Sequence, residues 1–204
     1  MNAYIKSTVV VVIAFITHIT GGAQTLESAR QAALNKNYAS SFQQYLHLAE
    51  AGNAEAQNQV GHFYSYGWGG IPKDPKAALY WLNKASDAGN MGAKDTLASK
   101  YENGDGVKKN PKLAIKYLTE VAESGNAYAQ GRLGGIYAVG ELVPRNTDKA
   151  RYWLERGAAQ GDFGSRLQLK ILNRQEAELY RMPLPQPRFT DCTTFGNMIN
   201  CVSN

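Results

Sequence analysis

The residues whose chemistry is easiest to name are Cys192 and Cys201, because the 204-residue chain contains no other cysteine. An even number of cysteines in a short segment favours a disulfide where the compartment is oxidising. Gly196-Asn197 is a candidate two-residue hairpin turn, which would place Cys192 opposite Cys201 on two antiparallel strands. That site is a non-hydrogen-bonded one, where Cα atoms lie about 4.5 Å apart, and this separation suits a disulfide. Redox activity is the alternative, although the spacing is far from the C-x-x-C of oxidoreductases.

No other set of reactive side chains forms a catalytic motif. Outside the first 23 residues the only histidines are His47 and His62, each within a predicted helix. The sequence lacks the H-E-x-x-H zinc motif, the G-x-S-x-G nucleophile elbow, the P-loop and the S-x-x-K motif. Acidic residues are spread singly, so no pair typical of glycosidases can be named. We therefore expect no enzyme, no cofactor and no metal site.

Residues 1–23 have the three parts of a secretory signal peptide. Lys6 provides a positive charge, an apolar run extends from Val9 to Ile16, and Gly21-Gly22-Ala23 places small residues before a cleavage site. A transmembrane helix needs roughly 20 apolar residues, and this run is much shorter. We predict cleavage after Ala23, a periplasmic or secreted protein, and no stable membrane insertion of the mature chain. An uncleaved anchor is the alternative.

The formal net charge of the chain is +5, from 22 lysines and arginines against 17 aspartates and glutamates. The basic residues are scattered along the sequence without a long run. Because a nucleic-acid-binding protein clusters its cations on one face, this distribution favours an ordinary solvated surface. We therefore expect no nucleic-acid partner.

Glycines at a regular interval organise most of the chain. Gly52, Gly89, Gly125 and Gly161 are separated by 37, 36 and 36 residues, and similar residue types recur between them. One inserted residue in the Gly67-Trp68-Gly69-Gly70 turn accounts for the longer interval. A fixed period in this range indicates a protein built from stacked repeats.

Each repeat is predicted to contain two helices joined by a glycine-containing turn. The second helix begins after an N-cap residue, as in Asp74-Pro75 and Asn110-Pro111, and ends before one of the recurring glycines. Asn90, Asn126 and Asp162 follow those glycines directly and can cap the next helix. Because the turns are so short, neighbouring helices are expected to be antiparallel.

Apolar residues at i, i+3, i+4 and i+7 define the buried side of each second helix. The predicted core positions are Ala78, Trp81, Leu82 and Ala85, then Ala114, Tyr117, Leu118 and Val121, then Ala150, Trp153, Leu154 and Gly157. Small residues on the first helices would let the helix axes approach closely. They are Ala56, Gly61, Ala93, Ala98, Ala129 and Gly134. The aromatic residues could instead form a ligand platform, but at this period they are typical of a core.

The recurring pattern A-x-x-x-L-G-x-x-Y-x-x-G-x-G-V-x-x-D/N-x-x-x-A-x-x-W/Y-x-x-x-A-x-x-G-N/D resembles the Sel1-like repeat, a relative of the tetratricopeptide repeat. It covers Gly52 to Gly161 in three units. Two positions depart from the family pattern, since Ala98 and Leu142 stand where the family has glycine. The resemblance implies an all-α, right-handed solenoid of antiparallel helix pairs, without catalytic residues, that is used for protein–protein interaction. Such repeats are often found in bacterial envelope or secreted proteins.

The sequence divides into four segments. They are the signal peptide (1–23), a degenerate N-terminal helical hairpin (24–51), the repeat solenoid with a capping helix (52–181), and a proline-rich linker with a disulfide-closed tail (182–204). The residues of the capping helix predicted to cover the end of the stack are Leu167, Ile171, Leu172 and Leu179.

Three functions stay open from the sequence. The first is non-enzymatic binding of a protein or peptide on the concave face of the solenoid. Polar positions of the first helices that differ between units are the candidate contacts: Gln59, His62, Thr96, Lys100 and Arg132. For each of them ordinary solvated helix surface is the alternative. The second function is binding or processing of peptidoglycan fragments in the cell envelope, and the third is action on host proteins as a secreted effector.

Overall fold

The computed structural model describes residues 25–181, 189–195 and 198–203. This part of the chain contains nine α-helices, a short 3-10 helix at Trp68–Gly70 and two β-strands. The helices are α1 (Leu26–Leu34), α2 (Tyr38–Glu50), α3 (Ala54–Tyr66), α4 (Pro75–Asp87), α5 (Met91–Asn103), α6 (Pro111–Glu123), α7 (Ala127–Val139), α8 (Thr147–Ala159) and α9 (Phe163–Arg181). The predicted signal peptide and proline-rich linker lie outside the described residues.

Side-chain caps and glycines set the helix ends as the sequence predicts. The Asp74 carboxylate accepts hydrogen bonds from the backbone N–H groups of Lys76 and Ala77, the second and third residues of α4, at 2.9 and 3.0 Å. Asn110 and Asn146 cap α6 and α8 through one bond each, at 3.1 and 2.8 Å. The glycines that follow α4, α6 and α8 have φ of +84°, +96° and +89°, a conformation that costs glycine little.

Small residues on the first helices allow close packing within each unit, as predicted. A Cβ atom at Gly61 would lie 2.7 Å from Cγ of Leu82, and one at Gly134 would lie 2.6 Å from Cγ of Leu154. Both leucines are fully buried. Ala98 takes the equivalent position in the second unit, where it is buried in the same cluster as Leu118. The departure from the family pattern therefore adds a methyl group to the core.

Successive helices pack as antiparallel neighbours and build an α-solenoid. The pairs α3–α4, α5–α6 and α7–α8 form the three units, and α4 and α6 each pack against the first helix of the next unit. Helices α1 and α2 form a similar pair before the first unit, and α9 packs against both α7 and α8. Clusters of buried residues follow one another along this stack, and residues of the first helices contribute to them.

The last helix, α9, covers the end of the stack less completely than predicted. Leu172 is 2% exposed, but Leu167 and Ile171 are each 48% exposed, so the prediction is wrong for these two residues. Leu167 occupies the position of Gly131 in the preceding unit, where a Cβ atom would lie 2.6 Å from Oγ of Ser165 on the next first helix. No helix follows α9 in the described chain, so this side of α9 stays open. The side chain of Leu179 lies outside the described residues.

The C-terminal strands β1 (Phe189–Phe195) and β2 (Met198–Ser203) pair antiparallel. Their backbone register sets Cys192 opposite Cys201, the pair expected from the sequence, and Phe195 opposite Met198. The ladder is irregular between Phe189 and Asp191. The turn at 196–197 lies outside the described residues, and the disulfide stays a prediction.

Candidate partner-binding face

Three clefts lie in a row between the first helices, and we call this side of the molecule the first-helix face. The polar cleft, of about 340 Å³, lies between α3 and α5. The middle cleft, of about 250 Å³, lies between α5 and α7. The apolar cleft, of about 510 Å³, lies between α7 and α9. Gly135 and Val139 line both the middle and the apolar cleft, so these two clefts are contiguous.

Three of the five predicted contact residues occupy one equivalent position in successive units. Gln59, Thr96 and Arg132 are separated by 37 and 36 residues, which are the intervals of the repeat. Thr96 and Lys100 both line the polar cleft, and Arg132 lines the middle cleft. The structure therefore brings three of the five predicted residues to two neighbouring clefts. Gln59 lies half-buried on α3, one unit before Thr96.

Lys100 is a buried cation at a position that is apolar in the other units. The equivalent residues are Phe63, Ile136 and Leu172. The side chain of Lys100 is 7% exposed, and its Nζ atom lies 3.1 Å from Oδ2 of Asp105, which is 72% exposed. Burial of an ion costs free energy that a single partner repays only in part. Packing of the solenoid does not require this lysine, because three other units do without one.

Arg132 joins the first helices of two units. Its guanidinium donates to Oδ1 of Asp95 at 2.6 Å, to Oε2 of Glu102 at 2.7 Å and to Oγ of Ser99 at 3.3 Å, all on α5. The side chain is mostly buried, and two carboxylates neutralise its one positive charge. A guanidinium engaged in this way has few donors left for a partner. Its observed role is to fasten α7 to α5.

His62 lies behind the rim of the polar cleft rather than within it. Its ring stacks on Tyr66 with centroids 5.9 Å apart, and Tyr66 stacks on Trp68 at 5.0 Å. Burial, and to a lesser degree the charge of Lys100, lowers the pKa of His62 below its ordinary value. The ring is thus neutral at neutral pH, and its buried Nδ1 atom has no hydrogen-bond partner among the described residues.

The hydroxyl proton of Thr96 is already used in a hydrogen bond within its own helix. Its hydroxyl donates to the carbonyl oxygen of Gly92 at 2.9 Å, a bond within α5. Hydroxyls of helical threonines commonly make this bond to the residue four positions earlier. The oxygen can still accept a hydrogen bond from a ligand in the polar cleft.

Three loop residues that sequence reasoning missed occupy one equivalent position after the first helices. Trp68, Asp105 and Glu141 each directly follow the left-handed glycine that ends a first helix. Trp68 is 45% exposed, and Asp105 and Glu141 line the polar and the middle cleft. The interval of the repeat was the signal available for this equivalence, because the three positions are separated by 37 and 36 residues.

Two glutamines that the sequence analysis did not single out tie units together. Nε2 of Gln57 donates to the carbonyl oxygen of Ala49 at 3.1 Å, and Nε2 of Gln130 donates to that of Ala122 at 2.9 Å. Both amides are buried, and each acceptor lies in the last turn of the preceding helix. The recurrence of glutamine at equivalent positions was the available signal.

Comparison with known proteins identifies the repeat. A family model described as Sel1 repeat matches residues 54–90, 97–126 and 127–162. These three matches cover the three helix pairs and together span half of the chain. The chain belongs to the Sel1 repeat family.

Individual relatives share the fold over part of their length. A structure of a Sel1 repeat protein from Oxalobacter formigenes is 29% identical, with a TM-score of 0.56, and the match covers 62% of this chain and 94% of that one. A protective antigen of uropathogenic Escherichia coli that displays an SLR fold is 30% identical, with a TM-score of 0.58, over 61% of this chain and 26% of that one.

A component of an ERAD-associated E3 ubiquitin-protein ligase from Arabidopsis thaliana is 37% identical over 65 residues, which are 32% of this chain. The matched part is a tenth of the length of that curated relative.

Sel1 repeat proteins typically act as non-catalytic scaffolds for protein–protein interaction. Within the described residues there is no group of three or more His, Cys, Asp or Glu side chains placed to hold a metal ion. A search of the same residues finds no helix with the length and hydropathy needed to cross a membrane. The first-helix face of this Sel1 repeat solenoid carries the three clefts described above.

Proposed function

We propose that this protein is a non-catalytic scaffold of the bacterial cell envelope that binds a protein or peptide along the first-helix face. One contrast carries the proposal. The buried positions of the units repeat, whereas the residues that line the clefts differ from unit to unit. Repeating residues account for the fold, so partner selectivity belongs to the residues that do not repeat. Solenoids of stacked repeats characteristically offer such extended surfaces for binding.

The location in the envelope rests on the signal peptide predicted at residues 1–23. After expression of the full chain, intact-mass measurement of the protein in the periplasmic fraction should give a chain that begins at Gln24. A full-length chain in the cytoplasm would contradict the proposed location. Recovery of the mature chain mainly from the culture medium would favour the secreted-effector alternative.

Site-specific crosslinking tests the binding face. A photo-reactive amino acid at Thr96 lies in the polar cleft, and the same amino acid at the exposed Tyr80 of α4 is the matched control on a second helix. We expect a partner crosslinked from position 96, suppressed by an excess of unmodified protein, and not from position 80. Equal crosslinking from both positions, or none from either, would contradict the proposal. Saturable binding of peptidoglycan fragments in place of a protein would replace it with the saccharide-binding alternative.

A further inference from the structure

The contact between the first unit (α3 and α4) and the second unit (α5 and α6) differs from the other contacts along the stack, and we call it the central junction. In the described part of the chain no side-chain hydrogen bond or ion pair crosses it, because the polar side chains of these two units bond within their own unit or to the units outside. Such bonds do cross the contacts before and after it. They involve Arg30 with Glu55 before the central junction, Arg132 with three side chains of α5 after it, and Arg151 with Glu176 at α9.

The glutamine that ties units together elsewhere is replaced at the central junction. The amides of Gln57 and Gln130 each donate to a carbonyl oxygen of the preceding unit. The equivalent residue of α5 is Lys94, since the three positions are separated by 37 and 36 residues. Its Nζ atom instead bonds Glu120 of α6, within the second unit. One recurring tie is therefore missing at this place in the stack.

Apolar packing holds the central junction. Leu82 and Ala85 of α4 form one cluster with Ala93 and Leu97 of α5, and all four are fully buried. Apolar attraction follows the area removed from water and has no preferred direction, whereas a hydrogen bond weakens steeply away from its preferred angle. A contact without polar ties can therefore change its angle at a lower cost than the contacts on either side of it.

Polar groups on the first-helix side of the central junction would gain from its opening. Asn58 is buried on α3 and faces α5, since its Nδ2 atom lies 3.4 Å from where a Cβ atom on Gly92 would be. Oδ1 of Asn58 and Nδ1 of His62 are buried without a hydrogen-bond partner among the described residues. Burial first and the charge of Lys100 second lower the pKa of His62, which places that buried ammonium group near the ring. Contact with water would recover part of the free energy that burial of these groups costs.

The following junction, between the second and third units, shows how the same positions are joined when they carry charge. Asp95 of α5 accepts a hydrogen bond from the guanidinium of Arg132 on α7. The equivalent residues at the central junction are Asn58 and Thr96, and both are uncharged. The hydroxyl of Thr96 donates within its own helix, so the two first helices are not tied to each other there.

We propose that the central junction is a hinge of the solenoid. The helices α1–α4 form one rigid body and α5–α9 form the other, and the polar cleft opens and closes as the two bodies rotate. The cleft spans the hinge because Tyr66 of α3 lines it together with residues of α5. The middle and apolar clefts lie within the second body and keep their shape. The hinge goes beyond the proposed function, because it does not depend on what the cleft binds.

Distances between spin labels at matched positions test the hinge in the mature full-length protein. Tyr80, Lys116 and Tyr152 are exposed and occupy one equivalent position on α4, α6 and α8. Labels carried by unnatural amino acids at Tyr80 and Lys116 span the central junction, and the same labels at Lys116 and Tyr152 span the following junction. We expect electron paramagnetic resonance to give a distance distribution about twice as wide for the first pair as for the second.

Adding or removing a polar tie tests why the two junctions differ. Lys94→Gln supplies the amide found at Gln57 and Gln130, and it should narrow the first distribution to the width of the second. Lys94→Met is the matched control, because it loses the same bond to Glu120 without gaining an amide, and it should leave the first distribution wide. Arg132→Gln should widen the second distribution about one and a half times, since it breaks bonds that join α7 to α5.

Equal widths for the two label pairs in the otherwise unchanged protein would overturn the hinge. Narrowing by Lys94→Met as well as by Lys94→Gln, or no widening by Arg132→Gln, would overturn the control of stiffness by polar ties from which the hinge is inferred. Crosslinking from Thr96 is a separate readout. A partner crosslinked there despite equal widths leaves the scaffold without a hinge, and unequal widths without a crosslinked partner leave the hinge without the scaffold.

Discussion

The polar and apolar clefts are built on equivalent positions two units apart, yet they offer different chemistry. Helix α5 lines the polar cleft with Thr96, Ser99, Lys100 and Asn103, and α9 lines the apolar cleft at the same four positions with Gln168, Ile171, Leu172 and Gln175. Both helices begin after an equivalent glycine and pack against the preceding unit. The repeat thus fixes where a cleft lies, and the few residues outside the repeat pattern decide what it can hold.

The largest expected effect on stability distinguishes a buried residue of the apolar cleft from a half-exposed one. Leu172→Ala should lower the free energy of unfolding by about 3 kcal/mol, because it leaves a cavity at a fully buried position. Ile171→Ala, the adjacent and half-exposed residue, should cost less than about 1 kcal/mol. Urea denaturation followed by circular dichroism measures both. Similar losses for the two variants would show that Ile171 is part of the core after all.

The next effect concerns the link between units at the middle cleft. Arg132→Gln should lower the free energy of unfolding by about 1 to 2 kcal/mol, since it breaks the ion pairs to Asp95 and Glu102 in a partly buried setting. A double-mutant cycle with Glu102→Gln isolates the coupling between the two side chains. Additive losses in that cycle would mean that the pair contributes nothing to the docking of α7 on α5.

Exchanging one residue of the polar cleft for its apolar equivalent should be harmless to the fold. Lys100→Leu installs the residue found at position 172, and we expect the free energy of unfolding to stay constant or rise by about 1 kcal/mol. The reverse exchange, Leu172→Lys, is the control and should be strongly destabilising, because Ala177 stands where Asp105 stands in the second unit. Destabilisation by Lys100→Leu would show that the buried lysine supports the stack.

The smallest effect is a dependence of stability on pH through His62. Its pKa is lowered in the folded chain, so on acidification the unfolded chain takes up a proton before the folded chain does. Stability should therefore be complete above pH 6.5, the ordinary pKa, and should fall as pH decreases from 6.5 towards the lowered value. His62→Gln should remove this part of the slope, which thermal unfolding across pH measures.

Lys100→Leu sharpens the test of His62. Removing the nearby charge should raise the pKa of His62 only part of the way to its ordinary value, because burial is the larger cause of the shift. Titration of the imidazole signals by nuclear magnetic resonance follows that pKa directly. An unchanged pKa in this variant would show that Lys100 does not act on His62.

Sequence reasoning predicted the repeating part of the molecule well, because the signals for it are local. The cap at Asp74, the left-handed Gly89 and the burial of Leu82 each follow from residues within a few positions of one another. The open side of Leu167 was not predictable in the same way. The apolar spacing of α9 is that of a covered helix, and the spacing alone does not show whether another helix lies against it.

The chemistry of the face was predictable only in outline. Thr96, Lys100 and Arg132 lie on the helices that bear the clefts, but their sequence positions do not reveal their side-chain partners, and their contact with a protein stays a prediction. The contacts of Arg132 lie 30 to 37 residues away on another unit. Such pairing depends on how the units stack, which the spacing of residues along the sequence does not show.

The open side of α9 has a consequence for how the molecule unfolds. In a linear array an internal unit is stabilised by units on both sides, whereas α9 packs only against the preceding unit in the described part of the chain, so it should open more often than an internal helix. Leu167 and Ile171, half in water, contribute little to hold α9 in place. The solenoid should therefore fray from this end, and the apolar cleft, which needs α9 as one wall, is the first of the three clefts to be lost.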